Sequence, residues 1–419
     1  MNTLSSIRSP ETAIHYNVLS DEFRANPYPT FQWWHKNEGI FYDAQQKYWV
    51  AFKYDTVRKL LRDPALTVER YVESPSGDEL FYDEKIREML SIWMLNNDGE
   101  KHKQARNSLI PLFTTRALAD YETLIREQVA SALDVFDSGN SATEIYQEVA
   151  FPLPAKIIMS IMGLGELTEN RLKDLQRYSD VISTYVGSAG RAPGCIKPTY
   201  DVLMEFCDLL MGSLENRPAN FDKTLTARLI EIYGDGTTRE ELHATLSNII
   251  LFIVSGFETT TNLILNTFMA LAKNPDIEGT LRENPSLIDS FVEETLRIYP
   301  PVNRTARKAR EAIEIDGVRI SPQDLVILFM GAANRDPEVF PEPDSFKLVR
   351  PELKENQALS FGYGPHLCIG RMLSLLELRI FYQELLARFS SLNIDIDTLK
   401  WRDNSIFKGI QTLEASPLK

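Results

Sequence analysis

The stretch FGYGPHLCIG, residues 361–370, places a single cysteine among glycines just before a long apolar segment. Glycines around Cys368 let the backbone pass close to a flat, bulky group. The helical pattern after Cys368 directs free N–H groups of a helix N-terminus at the sulfur, which favours the metal-binding thiolate. No other cysteine lies at ligand spacing, so a tetrahedral zinc site is excluded. A single thiolate on a flat cofactor is how heme is held in oxygen-activating enzymes; the alternative is a buried free cysteine in a glycine-rich turn.

Composition restricts the class of protein. The 419 residues suffice for one large domain or two to three average ones, and 43% apolar with 25% charged residues is ordinary for a soluble protein. Three cysteines exclude a disulfide scaffold and indicate a reducing cytoplasm. The N-terminal segment has no apolar core, which predicts neither a signal peptide nor a membrane anchor. A net charge of −14 argues against nucleic-acid binding.

The longest helical pattern runs from Thr238 to Lys273, where Thr238 and Glu241 predict a capping box. A helix of this length spans roughly 50 Å and crosses the molecule. Its apolar middle contains the polar sequence SGFETT, residues 255–260. A glycine, a carboxylate and hydroxyls in a buried helix need a reason. One interpretation is a groove over a cofactor; the other is a threonine bonding a backbone carbonyl, with Glu258 reaching solvent.

Two charged pairs have helical spacing. His102 and Arg106 lie four apart on a helix that Asp98 is expected to cap. Glu294 and Arg297 lie three apart on another helix. Taken alone, the first pair is typical of a solvated face and the second of a surface ion pair.

The chain resembles the cytochrome P450 family. Its cysteine stretch matches the pattern Phe-Gly-x-Gly-x-His-x-Cys-x-Gly at all six specified positions. The SGFETT segment resembles the family's Ala/Gly-Gly-x-Asp/Glu-Thr-Thr, with Ser255 in the first position. The resemblance begins near residue 21. It implies a mainly α fold with small β-sheets (α+β), in which a long central helix lies over heme and the cysteine loop beneath it. Residues 1–20 are expected to be flexible and residues 21–419 to form one domain without a fused reductase.

The resemblance also implies roles for individual residues. Cys368 is the iron ligand of heme b, Gly256 makes room, Thr259 bonds dioxygen and Glu258 brings protons in. The expected partners of the heme propionates are His102, Arg106, Arg307 and His366; Arg304 is a second candidate that spacing favours less. The other residues expected at the heme are Phe361, Gly362 and Gly370 of the cysteine loop. Structural support is expected from Glu294, Arg297 and Arg350, and substrate contacts from Val302, Thr305, Ile406 and Phe407.

The activity that follows is insertion of one atom of O2 into a small apolar substrate, in the cytoplasm and within secondary metabolism. Electrons are expected from a separate ferredoxin or flavodoxin with its reductase, which local positive charge at Lys101, Lys103, Arg106 and Arg371 favours. Neither nucleic acid nor membrane is an expected partner. Two alternatives remain: a peroxide-driven enzyme of the same fold, and a non-enzymatic heme sensor or electron carrier.

Overall fold

The computed structural model describes residues 20, 22–23, 26–37, 39–69, 80–138, 142–165, 167–188, 192, 194–402 and 409–418. Helices dominate these residues. They are α1 (Tyr28–Asn37), α2 (Tyr54–Leu60), α3 (Leu80–Ser91), α4 (Gly99–Leu109), α5 (Thr115–Ala119), α6 (Glu122–Ser138), α7 (Pro152–Met162), α8 (Glu169–Ser188), α9 (Ile196–Glu215), α10 (Leu225–Tyr233), α11 (Arg239–Lys273), α12 (Asp276–Glu283), α13 (Ile288–Ile298), α14 (Met330–Ala333), α15 (Glu352–Glu355) and α16 (Arg371–Arg388).

The strands form three small sheets. They are β1 (Phe41–Asp43), β2 (Tyr48–Ala51), β3 (Leu66–Thr67), β4 (Thr143–Glu144), β5 (Thr305–Ala309), β6 (Ile313–Ile315), β7 (Val318–Ile320), β8 (Leu325–Leu328), β9 (Ser391–Trp401) and β10 (Ile410–Leu418). One sheet has the order β1-β2-β8-β5-β3, a second β4-β10-β9, and β6 pairs with β7. This architecture confirms the predicted mainly α fold with small β-sheets.

The central helix α11 begins and runs as predicted. Both hydrogen bonds of the capping box are present: Glu241 N–H donates to Thr238 Oγ1 at 3.1 Å, and Thr238 N–H donates to Glu241 Oε2 at 3.4 Å. The most apolar part of α11 is long enough to cross a membrane, but 83% of that part is buried inside the protein. Its apolarity is therefore that of a core helix, packed among the side chains of the largest hydrophobic cluster.

Two predicted element boundaries are wrong. The apolar spacing in residues 142–165 predicts one amphipathic helix. The segment instead divides into β4, a π-helical turn (Tyr146–Ala150) and α7. The reason is tertiary: Thr143 and Glu144 pair with β10, which lies far along the chain. Residues 67–84 are polar, contain Pro75 and Gly77 and lack a clear period, which predicts a long loop. The structure has α3 from Leu80 onward, and residues 70–79 lie outside the described part of the chain.

Candidate active site

The cysteine loop links a short 3₁₀ turn to the first turn of α16. The Cys368 N–H donates to the Phe361 carbonyl oxygen at 2.9 Å and closes the loop. Gly362 and Gly364 have φ angles of 73° and 77°, in the left-handed region that favours glycine. A Cβ atom on Gly364 would lie 2.8 Å from Cβ of Arg62, just after α2. Packing on that side therefore requires glycine as well.

The Cys368 thiol is accessible even though protein surrounds it. Burial raises the pKa of this thiol. The backbone N–H groups of Gly370 and Arg371 oppose that shift, as do the positive charges of Arg106 and Arg371. A side chain that is surrounded by protein and still accessible borders an internal space. The helix N-terminus and two guanidinium groups stabilise negative charge on this sulfur.

Two of the expected propionate partners lie against each other beside this loop. His102 of α4 and His366 of the loop stack, with ring centroids 4.2 Å apart. Burial, together with the positive charges of His366 and Arg106, lowers the pKa of His102 to about 4. His102 is consequently neutral at pH 7. The stacked pair joins α4 to the cysteine loop.

Asp98 occupies the N-cap position of α4, but its side chain does not cap the helix. Its carboxylate accepts from Thr67 Oγ1 at 2.6 Å, Val68 N–H at 3.0 Å and Arg310 Nη2 at 3.0 Å. Its other oxygen lies 2.8 Å from His366 Nε2. Burial raises the pKa of Asp98, but hydrogen bonds from His366 and Thr67 outweigh it and hold the pKa well below its usual range. The predicted cap is wrong, because these partners use the carboxylate instead.

Arg106 is half-buried on α4, and no carboxylate in the described part of the chain forms an ion pair with it. Burial lowers the pKa of Arg106, and negative charge on Cys368 opposes this. A partly buried cation without an anionic partner is costly. This position therefore suits an anionic group of a bound molecule.

Arg307 and Arg304 lie in different surroundings. Arg307 is buried on β5 and donates to the Ala306 carbonyl at 2.9 Å and to Thr305 Oγ1 at 3.2 Å. The Arg304 guanidinium lies 5.8 Å from the centre of the Phe329 ring. Burial lowers the pKa of Arg304. The role of Arg307 at a propionate stays a prediction.

A short accessible strip interrupts the buried middle of α11. Ser255 is exposed and Thr259 partly exposed, whereas residues 245–254 and 260–271 are buried. Thr259 Oγ1 donates to the Ser255 carbonyl at 3.0 Å, the backbone bond foreseen as an alternative to a functional role. Such bonds bend and weaken a helix. Accessible surface in the middle of a core helix, as at Cys368, borders an internal space.

Gly256 faces a neighbouring helix. A Cβ atom on this residue would lie 2.8 Å from Cγ1 of Ile158 in α7. That separation is shorter than real Cβ contacts, so glycine lets α7 approach α11 closely. Helix packing is therefore one reason for the glycine. The room it was predicted to make at a cofactor stays a prediction.

Glu258 is buried, only 3% exposed, so the alternative in which it reaches solvent is wrong. It accepts from Ser179 Oγ of α8 at 2.6 Å and from Arg402 Nη1, just after β9, at 2.9 Å. Arg402 also lies 3.4 Å from Asp180. Burial raises the pKa of Glu258, and the hydrogen bonds from Ser179 and Asn262 oppose this rise without cancelling it. Burial and the charge of Glu258 raise the pKa of Asp180 to about 7. Two carboxylates thus share one arginine.

The predicted support triad is present behind the cysteine loop. Glu294 accepts from Arg297 Nε and Nη2, both at 2.8 Å, and from Arg350 Nε at 3.0 Å. All three side chains are buried. Asn334 Nδ2 donates to Ser360 Oγ at 2.8 Å at the entrance to the loop. This polar network fixes the segment that carries Cys368.

The predicted substrate contacts divide into two groups. Val302 and Thr305 are partly exposed where the chain enters β5. Ile406 and Phe407 lie outside the described residues, as do residues 189–191 and 193 in the loop between α8 and α9. Their roles stay predictions.

These residues fit a heme. An accessible thiol with N–H and guanidinium support is what an axial thiolate requires. The strip of α11 is accessible as well, and no carboxylate among the described residues pairs with Arg106, which suits an anionic group of the cofactor. Among the residues described, no three His, Cys, Asp or Glu side chains gather into a metal-binding cluster.

Sequence reasoning missed four contributors. Asn334 belongs to the stretch ANRDP, residues 333–337, which resembles a family motif, and Asp98 precedes the predicted pair of His102 and Arg106. The sequence therefore indicated their neighbourhood but not their contacts. Ser179 and Arg402 carry no signal, because they come 79 and 144 residues from Glu258 in the chain. Only the fold brings them together.

Comparison with known proteins agrees with this site. The family model described as cytochrome P450 matches residues 17–409. The biotin biosynthesis cytochrome P450 of Bacillus subtilis is 32% identical, over 96% of this chain and 98% of that protein. The 6-deoxyerythronolide B hydroxylase of Saccharopolyspora erythraea is 30% identical, over 88% of this chain and 90% of that protein.

Solved structures agree as well. P450BioI, in complex with an acyl carrier protein ligated to hexadec-9Z-enoic acid, has a TM-score of 0.81 and 29% identity, over 95% of this chain and 100% of that chain. Epothilone D-bound P450epoK has a TM-score of 0.83 at 24% identity, over 96% and 99% of the two chains, which is similarity of fold alone.

Proposed function

Because the chain belongs to the cytochrome P450 family and is a monooxygenase of that family, we propose that it inserts one oxygen atom of O2 into a small, largely apolar organic substrate. The oxidation is a hydroxylation, an epoxidation or a related reaction, and it serves secondary metabolism. Relatives named for polyketide biosynthesis and for hydroxylation of 6-deoxyerythronolide B support this setting. The cofactor is heme b with the Cys368 thiolate as axial ligand.

The observation that carries the proposal is the environment of Cys368. Its thiol is accessible, lies at the N-terminus of α16 and receives support from two N–H groups and two guanidinium groups. When bound, the heme supplies the activation of dioxygen and the oxidation of the substrate. Arg106, His102, His366 and Arg307 would hold its propionates.

The chain's own contribution to the reaction is proton handling on α11. Glu258 pairs with Arg402 inside the protein, and burial raises the pKa of its carboxyl group, which suits it to take up and pass on a proton. Thr259, on the accessible strip, presents its hydroxyl oxygen one residue further on. Asp180, with a pKa of about 7 and greater exposure, exchanges protons with solvent beside Arg402. Together these groups lead protons from the surface to the strip.

Electrons come from a separate ferredoxin or flavodoxin with its reductase, and the enzyme acts in the cytoplasm. Lys101 and Lys103 are exposed on α4, the helix that also carries His102. This positive charge suits an acidic carrier despite the net charge of −14.

A carbon monoxide difference spectrum of the reduced protein tests the ligand. We expect the thiolate-type band, and we expect Cys368→His to replace it with a histidine-type band. A histidine-type band in the unaltered protein would overturn the proposal.

Turnover experiments test the reaction. Product formation with NAD(P)H and a surrogate ferredoxin pair should exceed that with peroxide alone. Thr259→Ala should lower the yield of product per electron severalfold, because the hydroxyl that guides the proton is lost. An unchanged yield would remove Thr259 from the relay, and efficient turnover with peroxide alone would favour the peroxide-driven alternative.

A further inference from the structure

The proposed function leaves Ser255 without a role. This residue is exposed in the middle of α11, between buried residues 245–254 and the buried pair 257–258. Thr259, one helical turn later, shares the same accessible strip. A hydroxyl on an internal surface contacts the molecule that binds there.

The proton of the Ser255 hydroxyl is already used in a hydrogen bond to the backbone. Its Oγ lies 2.6 Å from the carbonyl oxygen of Leu251, and a carbonyl has no proton to give, so Ser255 is the donor. Thr259 donates in the same way to the Ser255 carbonyl. At this strip, the hydroxyl oxygens can therefore accept hydrogen bonds from a ligand, but no free hydroxyl proton is left to donate to it.

The acceptor stands on an apolar wall. Leu251 and Phe252 lie one helical turn before it, on the same side of the helix. A ligand that displaces water from such a site leaves the Ser255 oxygen unsatisfied unless the ligand itself donates. Sites of this kind reject an analogue that lacks the matching donor more strongly than they reject a change of size.

We propose that Ser255 is a specificity-determining residue that accepts a hydrogen bond from a hydroxyl or N–H group of the substrate. The substrate is then an otherwise apolar molecule whose alcohol, amide or amine group lies within one helical turn of Thr259. Ketone, ester and carboxylate groups are disfavoured at that position because they bring no proton. This inference rests on the proposed function, since it places the substrate at the α11 strip.

The test uses imidazole ligands that bind heme iron through nitrogen. The probes are 4-phenylimidazole and its 2-, 3- and 4-hydroxyphenyl analogues, titrated by the Soret shift of the ferric protein. In the unaltered protein at least one hydroxyphenyl analogue should bind about tenfold tighter than 4-phenylimidazole, the effect of one buried hydrogen bond. Ser255→Ala should abolish that advantage without weakening 4-phenylimidazole itself.

Two control variants isolate the hydroxyl. Ser255→Thr keeps an acceptor at the same place and should restore the advantage. Ser160→Ala removes an exposed hydroxyl that makes the same type of bond, to the Lys156 carbonyl at 2.9 Å on α7, and should leave all affinities unchanged. If every analogue keeps the same affinity ratio in Ser255→Ala as in the unaltered protein, the role of Ser255 is refuted. If 4-phenylimidazole causes no Soret shift at all, the proposed heme function fails and this inference fails with it.

Discussion

Arg402 pairs with Glu258 inside the protein, where Arg402 Nη1 lies 2.9 Å from Glu258 Oε1. It is the cation nearest to a carboxylate that is only 3% exposed, and its own pKa is lowered by burial to about 10. Removing one partner of a buried pair leaves the other charge uncompensated. We predict that Arg402→Ala destabilises the protein by roughly 3–5 kcal/mol at pH 7, measured by denaturant unfolding.

A surface pair provides the comparison for Arg402. Arg388 is half-exposed and pairs with Asp134 and Asp137, so Arg388→Ala should cost at most about 1 kcal/mol. In a Glu258→Gln background, Arg402→Ala should cost much less than in the unaltered protein. Equal costs in both backgrounds would show that the two side chains do not interact.

Glu377 on α16 is a second buried carboxyl, with no hydrogen-bond partner at Oε2 among the described residues. Burial raises its pKa well above 4.5, so the folded protein holds a proton that the unfolded chain releases. Its protonation favours the folded state at low pH. Stability should fall as pH rises above about 4.5, by up to about 1.4 kcal/mol per pH unit until the folded pKa is reached.

Glu377→Gln removes this titration while keeping the shape of the side chain. We predict that the variant is more stable than the unaltered protein at pH 8 and that the difference shrinks toward pH 4. Unfolding free energies at pH 4, 6 and 8 check this. A difference that does not vary with pH would mean that Glu377 is ionised in the folded protein.

For single residues, the sequence predicted contacts between residues that lie close together along the chain. Glu294 and Arg297 share a helix face, so their pairing follows from spacing, and family resemblance added Arg350. His102 and His366 were assigned to one cofactor, although their mutual stacking was not foreseen. Arg402 was not predictable, because its partner Glu258 lies 144 residues away and depends on how β9 meets α11.

At the scale of the elements, the cysteine loop depends on its glycines. Gly364 combines a φ angle of 77° with a position where a Cβ atom would lie 2.8 Å from the Arg62 side chain. Backbone strain of about 1–2 kcal/mol adds to a similar packing cost. We predict that Gly364→Ala loses at least about 2 kcal/mol of stability and retains heme less well, measured by unfolding and by heme transfer to apomyoglobin.

Gly317 in the turn between β6 and β7 is the matched control. Its φ angle is 78°, but no neighbouring atom lies within 4 Å of a Cβ placed there. Gly317→Ala should therefore cost only the backbone strain, about 1–2 kcal/mol, with heme retention unchanged. Equal losses in both variants would show that the contact with Arg62 is unimportant.

Elements were predictable where their signals are local. The capping box at Thr238 and Glu241 predicted the start of α11. The Asp-Gly pair at 316–317 is typical of a tight hairpin turn, and both residues have positive φ in the β6–β7 turn. The segment 142–165 was not predictable as a strand followed by a helix. Thr143 and Glu144 form a strand only by pairing with β10, and no residue near them in the sequence indicates this pairing.

For the whole molecule, charge distribution determines which partner approaches the cysteine side. The chain carries a net charge of −14, so an acidic electron carrier is repelled by most of the surface. Lys101 and Lys103 are exposed exceptions on α4, near the stacked histidines. Lys103 lies 3.8 Å from Glu100, which offsets part of its charge, and this makes Lys101 the sharper site to test.

We predict that Lys101→Glu slows reduction by an acidic ferredoxin about tenfold at low ionic strength, because a rim charge mainly changes the association rate. The difference should shrink at 0.5 M salt, where screening acts over a few ångström. Stopped-flow reduction under carbon monoxide measures the rate. Lys173→Glu, which reverses an exposed charge on α8, is the control and should have little effect. Equal slowing by the two variants would point to net charge alone, and would place the docking surface of the carrier away from α4.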